Sequence, residues 1–195
     1  MSLQTTLLTS HKGVDLHAAS ALLVMKDRLE GGGRLVNLLR CEMHTFWDQP
    51  AAVSVARLLD TGRYFNPNKH HYGVFTTDAG EGPWFDCADC RGRSLPAGWP
   101  GSLVDSDLKG HDDARDLYDT LLGGVPTPGY SAVDILSFGL GQSGPVLSGV
   151  LWRMVLEGEA AETADIGMNL AVARGRKQGL LINPHMEAWL SIGQE

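Results

Sequence analysis

One short frame occurs twice in this chain, and it constrains the fold more than any other feature. The first copy reads Phe65-Asn66-Pro67-Asn68-Lys69-His70-His71-Tyr72-Gly73-Val74-Phe75. The second reads Ile182-Asn183-Pro184-His185-Met186-Glu187-Ala188-Trp189-Leu190-Ser191-Ile192. Each runs from an apolar residue through Asn-Pro and four variable residues to an aromatic residue and a short strand. A helix-like segment precedes each. Asn-Pro is a common turn, so the dipeptide alone says little. The matching frame around it predicts two similar halves.

The first half reads β-α-β-α-β. A strand is expected over residues 3–9, then a helix with Asp15 as N-cap. Ala18, Leu22, Met25 and Leu29 recur at helical spacing and form its buried stripe. Gly31-Gly32-Gly33 ends it. A long strand follows over residues 35–47. Leu35, Leu39, Cys41, Met43 and Trp47 share one face, and Arg40, Glu42 and His44 lie on the other. Pro50 suits the first turn of a second helix, whose apolar side carries Ala52, Val55 and Leu59. Asn66-Pro67 then turns the chain into a strand at residues 72–76.

The second half repeats this order less cleanly. A weak strand is expected over 103–108, then a helix capped by Asp112 and carrying Ala114, Leu117 and Leu121. A strand follows over 132–140. The Gly/Ser/Pro segment 141–149 and the strand after it read as an added hairpin. Thr163 is expected to cap the last helix, which Gly167 and Gly175 weaken by roughly 1 kcal/mol each relative to Ala. Between the halves, residues 78–101 are rich in Gly, Pro and Asp. The expected organisation is residues 1–77, a linker over 78–101, and residues 102–195.

Two halves fit within 195 residues, and 43% hydrophobic content suffices for a core. A net charge of −7 argues against a nucleic-acid partner. No apolar run is long enough to span a bilayer, and the N-terminal residues lack a basic-then-apolar leader, so neither membrane association nor secretion is expected. Three cysteines make a disulfide framework unexpected, and a cytoplasmic location follows.

The pattern resembles the PurS family, the small subunit of bacterial phosphoribosylformylglycinamidine synthase. The residues that carry the resemblance are Leu180-Leu181-Ile182-Asn183-Pro184 with Trp189, Phe65-Asn66-Pro67 with Tyr72, and the opening turn Lys12-Gly13-Val14. The resemblance implies an α+β fold of two ferredoxin-like βαβαβ halves, their sheets packed together as a pseudo-dimer. It also implies a non-catalytic assembly role in purine biosynthesis, bridging a glutaminase that releases ammonia and a synthetase that uses it. No catalytic residue carries over, and no activity is expected of the chain alone. The chain departs from the family in its doubled length, in the segment 141–149 and in a Cys-x-x-Cys within the linker. Two alternatives stand beside this reading. One is a stand-alone small-molecule-binding or enzymatic dimeric α+β barrel, and the other a zinc-binding protein. A homo-oligomer is a further candidate assembly.

Cys87 and Cys90 form the Cys-x-x-Cys, which can supply two corners of a zinc site. His70, His71 and His111 complete it only if the linker folds back. His70 and His71 are adjacent on an extended segment and point opposite ways, so they do not form one site. No histidine pairs obviously with a nucleophilic Ser or Cys. Residues 139–144 resemble a phosphate loop only loosely, and a hairpin turn explains them better. Asp105, Asp107, Asp112 and Asp113 read as a cap and a solvated helix start. Trp47 and Trp152 are expected near the contact between the halves.

Overall fold

The computed structural model describes residues 3–47, 55–78, 91–95, 98–142 and 145–192. Pro50, Ala52, Cys87 and Cys90 lie outside them. In chain order the elements are β1 (Leu3–His11), α1 (Leu16–Arg28), β2 (Leu35–Phe46), α2 (Val55–Asp60), β3 (His70–Asp78), β4 (Arg93–Ser94), β5 (Ser102–Ser106), α3 (Ala114–Leu121), β6 (Tyr130–Gly139), β7 (Val146–Glu157), α4 (Ala160–Ala171) and β8 (Glu187–Ile192). The fold is α+β, with the described strands in one sheet of order β4-β8-β6-β7-β2-β1-β3-β5. All neighbours are antiparallel except β4 and β8. No described helix is long and apolar enough to cross a membrane.

Two sheets stacked face to face were expected, and the chain instead builds one sheet joined edge to edge. The junction is β2 against β7, a long antiparallel ladder running from Leu35–Leu156 to Phe46–Val146. Both strands are twelve residues long, so their backbone groups find ladder partners along the seam. An unpaired β2 or β7 would instead present a long open edge.

The pairing scheme on one side of the seam repeats on the other. β1 lies between β2 and β3, and β6 lies between β7 and β8. Thr9 is opposite both Glu42 and Tyr72, while Ser137 is opposite both Val150 and Trp189. Glu42 and Val150 face each other across the seam. An approximate half-turn about that pair exchanges the two three-stranded units. The Asn-Pro turns obey the same operation. Asn66 O accepts from Lys69 and His70 N–H, and its side chain accepts from Asn68 N–H at 3.0 Å. Asn183 O accepts from Met186 and Glu187 N–H, and its side chain accepts from His185 N–H at 3.0 Å.

Several finer expectations change. β5 was expected to open the second half, but it pairs with β3 at the far edge. The β6–β7 hairpin is no addition, because these strands correspond to β1 and β2. The short stretch 140–145 therefore stands where the first unit has α1. The segment read as a linker contributes β4, and its Leu95 and Trp99 are buried. α3 is capped by Asp113, one residue beyond the expected Asp112. α4 begins after Glu159, and Thr163 lies inside it, its buried hydroxyl bonded to Ser131 Oγ at 2.5 Å.

Helices cover both faces. Met25 of α1 and Leu170 of α4 pack with Leu38, Ile135, Trp152 and Met154. Leu58 of α2 packs with Leu7, Phe46 and Val74 on the same face. On the other face, Leu117, Tyr118 and Leu121 of α3 pack with Leu8, Cys41, Met43, Leu136 and Leu151. Leu35 joins the α1 side rather than the row of Leu39, Cys41, Met43 and Trp47. An irregularity between Leu35 and Asn37 shifts the ladder and turns it over. α1 starts at Asp15 as expected, its carboxylate accepting from His17 and Ala18 N–H. Behind α1, a Cβ on Gly32 would lie 2.0 Å from Met25 O, so only glycine fits there.

Candidate functional site

Between the helices on the α1/α2/α4 face, the middle of the sheet carries the polar row Arg40, Glu42 and His44. Because side chains alternate along a strand, β2 sends this row to one face while Cys41 and Met43 go to the other. Two cavities flank the row, and the half-turn about Glu42 and Val150 relates them.

The first is closed. It is lined by Thr9, His11, Asp15, Arg40, Glu42 and His70. Arg40 lines both cavities, and its guanidinium reaches Asp15 Oδ2 at 3.3 Å and Glu42 Oε1 at 3.0 Å. Burial raises the Asp15 carboxyl, but the backbone bond from Ala18 and the charge of Arg40 outweigh it and leave the pKa below its ordinary value. The His11 and His70 rings meet edge to face at 4.9 Å. Burial, and then the neighbouring His11, lower the pKa of His70.

The second is open, a groove of about 270 Å³. Its floor is β2, β7 and β6, and its lining includes Arg40, Glu42, His44, Ser137, Ser148 and Glu187. His44 Nδ1 is hydrogen-bonded to Ser148 Oγ at 2.8 Å across the seam. Tyr64 packs on the His44 ring at 4.7 Å. Burial lowers the pKa of His44, favouring the neutral imidazole. Gln142 shapes the rim, donating to Ser148 O at 2.8 Å and accepting from Ser148 N–H at 2.9 Å. Position by position, Ser137 stands where the closed cavity has Thr9, Gly139 where it has His11, Ser148 where it has Arg40, and Glu187 where it has His70. The last exchange keeps a contact. His70 Nδ1 accepts from Asn66 N–H at 3.4 Å, and Glu187 Oε2 accepts from Asn183 N–H at 2.7 Å.

The residues singled out from sequence are placed as follows. Asn66, Pro67, Asn183 and Pro184 form the equivalent turns that deliver His70 and Glu187 to the two cavities. Trp152 is opposite Arg40 on the seam, with the guanidinium carbon 5.8 Å from its ring centre. Trp47 N–H donates to Pro145 O at the end of the same ladder. Cys87 and Cys90 are outside the described residues, so their zinc reading stays a proposal. His71 goes to Asp107 Oδ2 at 2.9 Å and His111 to Asp116 Oδ2 at 2.6 Å. Asp105 accepts from the Tyr72 hydroxyl, and Asp113 caps α3.

Sequence reasoning missed the His44–Ser148 pair, whose partners are 104 residues apart in sequence. It also missed Arg153, which is buried on the α3 face. Arg153 donates from Nε and Nη2 to the two oxygens of Asp134 at 2.8 and 2.7 Å, and from Nη2 to Asp119 at 2.7 Å. The Tyr118 hydroxyl completes the cluster, donating to Asp134 at 2.8 Å. The signal was present as an Arg and an Asp inside two apolar strand rows.

No protein-family model, curated protein or solved structure matches the chain.

Proposed function

We propose that the chain is a non-catalytic assembly module, a fused pair of ferredoxin-like units resembling PurS. In this reading it bridges a glutaminase and an ATP-dependent synthetase in the synthesis of formylglycinamidine ribonucleotide. The observation that carries it is the half-turn joining two units, each ending in the same Asn-Pro turn and outer strand. A subunit that must hold two partners benefits from two related surfaces on one rigid sheet. The test is reconstitution with the glutaminase and synthetase from the same source. The expected result is a complex of all three on size-exclusion chromatography and a glutamine-supported amidation rate that depends on the chain. A chain that elutes alone, and leaves that rate unchanged, overturns the reading.

A second reading is favoured by the open groove. In it the chain is a stand-alone small-molecule-binding protein, and the seam between the units is its ligand site. Fold alone does not choose between the two.

A further inference from the structure

The seam sets a hydroxyl against an imidazole in the lining of the open groove. His44 of β2 and Ser148 of β7 are directly opposite in the ladder, so two paired strands fix both backbones. Nδ1 and Oγ are 2.8 Å apart, the separation at which a base can take a nucleophile's proton. The half-turn carries this pair onto Trp152 and Arg40, so the matching place in the closed copy holds a guanidinium near an indole ring. Ser148 is fixed further by Gln142. The β6–β7 ladder stops at Phe138 and Gly149. One position on, the Gln142 side-chain amide takes over, bonding both the N–H and the carbonyl of Ser148. The hydroxyl is thus carried on a held backbone, and Tyr64 packs on the imidazole beside it.

We propose that the open groove is an acyl-transfer site, with Ser148 as nucleophile and His44 as its base, and that its substrate is a small neutral carboxylic ester. Ser148 Oγ gives its proton to His44 Nδ1 and bonds to the acyl carbon. The ester C–O bond breaks, and His44 passes the proton to the departing alcohol. Water then gives a proton to His44 and cleaves the bond from acyl carbon to Oγ, releasing the acid and restoring Ser148. Burial keeps the imidazole neutral, the form that accepts a proton. The nearby Glu42 charge favours the imidazolium that forms, against an opposing effect of Arg63. The groove, about 270 Å³, is near the lower end of small-molecule sites, so the ester is small. Phe138 and Val150 give its acyl chain apolar contact. Arg40 in the same lining is paired with Asp15 and Glu42, and Glu187 adds a negative charge, so an anionic substrate is disfavoured. This inference rests on the second reading, in which the seam is a ligand site, and adds a chemistry that the assembly reading does not.

Incubating the purified chain with p-nitrophenyl butyrate tests it. The expected result is release of p-nitrophenolate and, in acid-quenched samples, a butyryl group on Ser148 found by peptide mass spectrometry. Ser148→Ala should abolish both, whereas Ser148→Cys keeps a nucleophile and should still be acylated. His44→Gln should slow acylation by about 100-fold or more. A thermal melt confirms that each variant is folded. Titrating Ser148→Ala with the same ester reads binding alone. If that variant binds the ester but the parent chain is not acylated, the acyl-transfer proposal is overturned and the ligand-site reading stands. If there is neither binding nor acylation, both are overturned. The proposal is equally overturned if the butyryl group is found only on other residues, or if folded Ser148→Ala releases p-nitrophenolate like the parent chain.

Discussion

Replacing Arg153 by Leu removes the centre of a buried charge cluster. The side chains of Arg153 and Asp134 are 1% and 3% exposed. Arg153 gives two bonds to Asp134, one to Asp119, and one to Gly124 O at 3.1 Å. Without it, Asp134 keeps only the Tyr118 hydroxyl as a side-chain donor among these groups and is left as a buried carboxylate. Asp119 lies near the surface at 13% exposure and can turn to water, so most of the loss falls on Asp134. Breaking such a pair from one side costs about 3–5 kcal/mol. In a chain of 195 residues that lowers the melting temperature by about 10 °C. The assay is urea denaturation of Arg153→Leu, Asp134→Leu and the double variant. The double variant leaves neither charge buried, so it should be more stable than Arg153→Leu, with a coupling of about 3 kcal/mol. A loss below about 1 kcal/mol in Arg153→Leu, as for an exposed ion pair, would refute the reasoning.

The remaining predictions concern the seam, the turns and one helix contact. Burial depresses the pKa of His44 and, more weakly exposed to it, His70 below the ordinary 6.5, so the unfolded chain binds these protons first. Their contribution is complete above pH 6.5 and is lost as pH falls below it; urea midpoints should drop from pH 7 to 5, and His44→Gln should flatten that slope. Asn66→Ala and Asn183→Ala each remove one side-chain bond inside a turn and should each cost about 1 kcal/mol. A large inequality between them, measured by the same denaturation, counts against equivalent turns. Gly167→Ala gains about 1 kcal/mol of helix propensity. The new Cβ, however, would lie 2.7 Å from Val133 Cγ1, so the variant should melt below the parent chain.

Features encoded within a few consecutive residues were legible in the sequence. Asp15 as a cap, the Asn-Pro turns and the alternation of β2 all fall in this group, because turn chemistry and strand period are local. What was hidden depends on which distant strand or helix supplies the partner. The alternation of β2 shows that Cys41 and Met43 are buried, but not that α3 covers them. It places Arg40, Glu42 and His44 on one face, but not that β7 lies alongside and brings Ser148 to His44. β5 carries no mark of its pairing with β3 in its five residues, SLVDS. The shift at Leu35 and Asn37 turned one apolar residue to the opposite face, which strict alternation cannot anticipate.

The junction of the two units is the claim on which the candidate site rests, and nuclear Overhauser contacts across it test that claim most directly. The account predicts backbone contacts between β2 and β7 centred on Glu42 and Val150, with Arg40 near Trp152 and His44 near Ser148. Backbone contacts in another register, or amides of β2 and β7 that exchange freely as open edges, would contradict it.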